Sequence, residues 1–136
     1  MTSADSISTT IHHLSARLSR EADQILQEQL GLTFSQYKIM QTIQDSPRVQ
    51  QRALALSLGQ TEASISRQVK LLLDKQLIVM RVNPHNRRQH LTQLTVRGER
   101  ILGAAHTAVS RYYAHVLGQL SDKQQSQLSL LLGTIQ

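Results

Sequence analysis

The strongest constraint on this chain lies between residues 50 and 75, where two helical patterns meet at a single glycine. Leu54, Ala55 and Leu58 give a short helix over about Gln50–Leu58 an apolar face. Gly59 supplies a sharp turn, and Thr61 is placed to cap a second helix, since its hydroxyl accepts a bond from a free N–H of the first turn. Ile65, Val69 and Leu72 then recur at spacings of four and three and share one face. The opposite side, with Ala63, Ser64, Ser66, Arg67 and Lys70, is small or cationic. Two helices joined around a glycine have the arrangement of a helix-turn-helix. Small residues let the second helix approach a duplex closely, and Ser and Arg bond to base edges or phosphate oxygens.

After Gln76 the pattern changes. Leu77–Val82 is rich in β-branched residues and too short for another helix, so it predicts a strand. Asn83–His90 is a polar, turn-rich tip and Leu91–Thr95 a returning strand. A hairpin directly after a helix-turn-helix makes a winged helix, here with Arg87 and Arg88 near its tip. Charge is concentrated in the same region. Residues 48–100 hold ten basic and three acidic side chains, a net +7, whereas the whole chain carries +6. A basic module between near-neutral arms implies a polyanion partner. With one Phe, three Tyr and no Trp, the chain has few aromatic platforms for unstacked bases, which favours duplex DNA over RNA. The alternative is a winged helix serving as a protein-interaction or RNA-binding module without operator specificity.

The flanks are helical. Ile7, Ile11, Leu14, Leu18, Ala22 and Ile25 step by three and four, and Gly31 is a natural stop. Thr33 and Gln36 form a capping box for a helix with Tyr37, Met40 and Ile43 on its buried stripe, ending near Asp45-Ser46-Pro47. Beyond the hairpin, a helix opening at Thr95 carries Ile101, Ala105, Ala108, Tyr112 and Val116. A last helix starts at a second capping box, Ser121 to Gln124. Long terminal helices exceed what a small central module needs to close its own core, so they are expected to pack on another long helix, from the same chain or from a partner. Where that partner is a second copy, the dimer contacts would come from Ile7, Ile11, Leu14, Leu18, Leu128, Leu131 and Leu132. The predicted fold is mainly α with a small β-hairpin wing. Its parts are an N-terminal dimerisation helix (1–31), a winged helix-turn-helix (33–95) and C-terminal dimerisation helices (96–136).

Several chemistries have nothing to attach to. There is no Cys, hence no disulfide, thiol switch or cysteine-based zinc site. Paired carboxylates, a nucleophile–base constellation and a Gly-rich phosphate loop are missing, so neither enzyme activity nor a cofactor is expected. Six histidines are present, but His12 and His13 point to different faces of a helix and His85 and His90 lie on the wing. His106 and His115 are nine residues apart with no carboxylate cluster, so no metal site is expected. Met1–Thr10 is polar and unlike a signal peptide, and no apolar run reaches membrane-spanning length. The expected location is the cytoplasm.

The residues Thr33…Gln36-Tyr37…Met40…Ile43, Leu54-Ala55…Leu58-Gly59, Ser64-Ile65-Ser66-Arg67…Val69…Leu72, Leu77-Ile78, Asn86-Arg87-Arg88 and Leu94-Thr95…Gly98, in this order and spacing, make the chain resemble the MarR family of bacterial transcriptional regulators. The resemblance is close over about Thr33–Gly98 and extends to the terminal helices by layout. It implies a homodimeric repressor on a pseudo-palindromic operator, with reading helices in successive major grooves and wings in the flanking minor grooves. Carried over by position, Thr61, Ser64, Ser66, Arg67, Gln68 and Lys70 face DNA, Arg88 enters the minor groove and Arg87 meets phosphate. It also implies a small phenolic or anionic effector in a crevice for which Phe34, Tyr37, Tyr112 and Tyr113 are the candidate lining. Three positions depart from the family pattern: Asn86 replaces an Asp that pairs with the Arg two residues on, Gln76 a Gly, and Met80 an Arg.

Overall fold

The computed structural model describes residues 2–136, apart from the side chain of Gln89. Its first helix, α1 (Ser3–Leu30), is capped by a reciprocal Thr2–Asp5 box and closed by Gly31 in the left-handed region at φ 63°. At 28 residues it is about 42 Å long. Only Ala22 and Leu26 of α1 are buried, so its last third packs on the body while the remainder projects. α2 (Phe34–Asp45) begins at the expected Thr33–Gln36 box. It buries Gln36 and Ile39 as well as Tyr37, Met40 and Ile43, because α1, α3, α4, α5 and the wing all pack against it.

α3 (Gln51–Leu58) and α4 (Glu62–Asp74) form the helix-turn-helix. Leu54 and Ala55 are buried and Leu58 is half-buried. Gly59 ends α3 at φ 65°, with its own N–H on Leu56 O and the N–H of Gln60 on Ala55 O. This reciprocal pair is a Schellman closure, and the left-handed residue it requires is naturally glycine.

β1 (Ile78–Asn83) and β2 (Asn86–Leu94) pair antiparallel as a two-stranded sheet. The hairpin is tighter than the composition of Asn83–His90 suggests: Pro84 and His85 alone make the turn, and β2 starts at Asn86 rather than Leu91. Register runs from Ile78 opposite Leu94 to Val82 opposite His90, then shifts so that Asn83 faces Asn86. Arg87 and Arg88 therefore sit in an irregular bulge at the start of β2, not in a free loop. Polar residues read as loop because their side chains reproduce turn hydrogen bonds, which is what Asn83 and Asn86 do here: Asn83 Oδ1 accepts from His85 N and Asn86 Oδ1 from Arg88 N.

α5 (Val96–Leu117) is capped by Thr95. Its buried stripe is Gly98, Leu102, Ala105, Val109 and Val116. This is rotated from the expected Ile101, Ala105, Ala108, Tyr112 and Val116, because Ile101, Ala108 and Tyr112 lie half-buried at its edge. α6 (Asp122–Thr134) starts at the expected Ser121–Gln124 box and buries no residue.

Candidate nucleic-acid interface

α4 is seated by Ile65 and Leu72, both fully buried, and Val69, which leaves its other side outward. Thr61 Oγ1 accepts from Ser64 N at 3.1 Å and fixes the first turn. Ala63, Ser66, Arg67 and Lys70 are exposed. Two further candidate readers are tied inward. Ser64 Oγ donates to Gln60 Oε1 (3.0 Å), and Gln60 Nε2 donates to Ser35 Oγ (2.8 Å). Gln68 is half-buried and accepts a 3.1 Å bond from the buried Gln36. Nothing in the sequence pattern signalled the partners Gln36 and Gln60.

The wing is anchored on its far side by Thr92 N, which donates to Pro47 O at 3.0 Å. Arg87 and Arg88 are exposed. Arg88 shares a strand face with His90 and Thr92, and all three line a cavity of about 300 Å³ closed by Leu54, Val69 and Met80. The Arg88 face of the wing is thus turned toward the helix-turn-helix. Asn86 takes the backbone N–H of Arg88, so the departure from Asp keeps the turn and gives up a charged partner for the guanidinium. Among the described residues the one ion pair is Arg17–Glu21 on α1. Among those residues Arg67, Lys70, Arg81, Arg87 and Arg88 have no carboxylate within ion-pair distance, so none of these charges is neutralised by direct contact.

The far end of α4 is fastened to both flanking helices. Lys75 Nζ donates to Gly31 O at 2.8 Å, beside the end of α1. Thr95 Oγ1 donates to Gln76 O (2.7 Å) and Thr95 N to Leu77 O (3.0 Å), at the start of α5. Gln76 itself sits at φ 59°, the one non-glycine residue described with positive φ. The usual Gly of the resemblance is therefore a backbone requirement that this chain meets with Gln.

The four candidate crevice aromatics form two ring pairs, one on α2 and one on α5. Phe34 and Tyr37 have ring centroids 6.0 Å apart, and Tyr112 and Tyr113 5.7 Å. Tyr37 Oη accepts from Gln41 Nε2 (2.9 Å) and lies 3.3 Å from His106 Nδ1. Burial, with a smaller contribution from nearby Tyr113, raises the Tyr37 pKa above the ordinary phenol value. Tyr112 donates to Glu21; that bond, followed by the one from Arg17, lowers the Glu21 pKa. The two pairs border different crevices. Phe34 lines one of about 650 Å³ with Ser19, Lys38 and Gln41, while Tyr112 lines one of about 510 Å³ with Ile25, Arg111 and His115. Lys38 Nζ stands 5.4 Å over the Phe34 ring. Among the described residues no three His, Asp or Glu side chains converge as a metal site, and no helix is long and apolar enough to cross a membrane.

Five of the seven expected dimer residues are left exposed by their own chain. Ile7, Ile11 and Leu14 are 57%, 40% and 37% exposed, and Leu131 and Leu132 are 65% and 39% exposed. Leu18 and Leu128 are half-buried.

Comparison with known proteins gives a consistent result. The family model described as MarR family matches residues 30–89. The transcriptional regulator HosA of Escherichia coli O111:H- is 31% identical over 94 residues, 69% of this chain and 70% of that protein. The apo structure of wild-type E. coli MarR is similar with a TM-score of 0.83 and 22% identity, covering 94% of this chain and 95% of that one. A Mycobacterium tuberculosis MarR family protein in complex with p-aminosalicylic acid gives a TM-score of 0.82 and 22% identity, over 94% of this chain and 96% of that one.

Proposed function

The chain belongs to the MarR family of transcriptional regulators, and from that premise we propose that it is a cytoplasmic repressor acting as a homodimer on a pseudo-palindromic operator. The observation that carries this reading is the cationic surface shared by the outer face of α4 and the bulge of the wing, Arg67, Lys70, Arg87 and Arg88, while the one ion pair among the described residues lies elsewhere, on α1. Ser66, Arg67 and Lys70 meet bases and phosphates in the major groove, with Thr61 and Ser64 at the helix start. Arg88 enters the minor groove, where negative potential is concentrated, and Arg87 meets phosphate. A second copy covers Ile7, Ile11, Leu14, Leu18, Leu128, Leu131 and Leu132, and thereby sets the distance between the two reading helices.

The effector is a small anionic aromatic molecule held in the crevice of Phe34 and Lys38, where a ring and an ammonium stand together. The salicylate-type ligand of the M. tuberculosis relative supports that chemistry. An effector that binds one helix spacing better than the other shifts the population away from the DNA-competent one. Selection of bound duplexes from a random pool, followed by a salt titration, tests the reading. A two-fold-related motif and an affinity that falls steeply with salt are expected; salt-insensitive or absent duplex binding refutes it.

A further inference from the structure

Gln68 has its amide orientation set from inside the protein. The chain of bonds starts at the backbone N–H of Thr33, which can only donate, and donates to Gln36 Oε1 at 3.1 Å. Gln36 is 2% exposed, and with its oxygen so committed its Nε2 faces outward and donates to Gln68 Oε1 at 3.1 Å. Gln68 must therefore turn its oxygen inward. Its Nε2, which has no partner among the described residues, is left at the half-exposed edge of α4. An amide normally has two orientations that differ little in cost, and a free Gln can show either edge to a base. Here the backbone polarity of the α2 cap selects one of them through two side chains.

We propose that Gln68 is a specificity-determining residue that shows DNA a donor only, with the buried Gln36 as its positioning residue. This rests on the reading of α4 as the helix that enters the major groove. A donor-only amide favours major-groove edges that offer acceptors, namely guanine O6 and N7, thymine O4 and adenine N7. It disfavours the donors at cytosine N4 and adenine N6, and the two-bond Gln–adenine pairing that needs the amide oxygen is closed to it. Gln36 never touches DNA, yet it decides what Gln68 reads.

Binding-site selection on the full chain, with thermal melts alongside, tests this with four variants. Gln68→Ala is expected to flatten the preference at one position of each half-site, by roughly three- to tenfold in relative affinity, the worth of one hydrogen bond. Gln68→Glu keeps an inward oxygen for Gln36 but replaces the outward donor with an acceptor, and should move the preference at that position toward donor edges. Gln36→Glu accepts from both Thr33 N and Gln68 Nε2, turns the Gln68 oxygen outward, and should shift the same position in the same direction. Gln36→Met releases Gln68 to either orientation and should flatten that position. The proposal is overturned if Gln68→Ala leaves every position unchanged, or if Gln68→Glu or a folded Gln36 variant keeps the original preference. Failure of the unaltered protein to select any duplex would instead overturn the regulator reading itself.

Discussion

A β-carbon on Gly98 would lie 2.0 Å from the carbonyl oxygen of Leu77. The first turn of α5 therefore rests directly on the backbone that leaves α4, and backbone cannot swing aside as a side chain does. Thr95 completes the joint by taking Gly98 N with its hydroxyl while giving its own N–H to Leu77 O. Gly98→Ala is expected to cost about 3 kcal/mol, at the upper end of ordinary overpacking because the collision is with main chain. A melt followed by circular dichroism would show the drop. An unchanged midpoint would mean that α5 can lift off Leu77 freely.

Gln76 offers the opposite opportunity. The end of α4 closes with Gln76 N on Leu73 O and Leu77 N on Leu72 O, the same pair of bonds that Gly59 closes after α3. Yet Gln76 holds the left-handed position, at φ 59°, with a side chain. Left-handed geometry costs an L-residue roughly 1–2 kcal/mol, part of which glycine returns as greater freedom in the unfolded chain. Gln76→Gly is therefore expected to stabilise the fold by about 0.5–1 kcal/mol. Equilibrium denaturation in urea gives the sign, and a destabilised variant would show that the Gln side chain contributes packing of its own.

The sequence was most readable where one local rule decided the outcome. Thr33, Thr61, Thr95 and Ser121 all cap helices, since a hydroxyl before an apolar period has one obvious use there. Gly31 and Gly59 both take left-handed conformations at helix ends. Tertiary neighbours decided the rest. The α5 stripe shifted toward Leu102 and Val109 because α5 meets α1, α2 and the wing together, and a periodic pattern with Ala at several steps fits more than one rotation. The wing tip shrank to Pro84 and His85 because Asn side chains support a tight turn as readily as a loop. Gln36 was legible as a cap, but its bond to Gln68 joins residues 32 apart and leaves no periodic trace.

α6 contributes no buried residue to its own chain, and Leu130, Leu131 and Ile135 are 72%, 65% and 73% exposed. Ending the chain at Gly118 should therefore leave the helix-turn-helix core intact while removing much of the surface a second copy would cover. The expected result is a folded protein that sediments as a monomer and binds operator with the affinity of a single half-site. Gel filtration with light scattering and a melt would check both halves. A dimer surviving the truncation would place the interface on α1 alone, through Ile7, Ile11 and Leu14.

Arg88 is exposed, lies in the bulge where β2 leaves register, and has no carboxylate partner among the described residues. Its backbone N–H, not its guanidinium, holds Asn86. Arg88→Ala should therefore leave the turn and the melting temperature unchanged while removing the charge. Operator affinity is expected to fall about tenfold or more, and the slope of log affinity against log salt to lessen by about one for each protomer, as one cation leaves the minor groove between the phosphate strands. Fluorescence anisotropy at several salt concentrations measures both. Loss of affinity without a change of slope would assign Arg88 to shaping the wing; an unchanged affinity would remove the wing from the DNA interface.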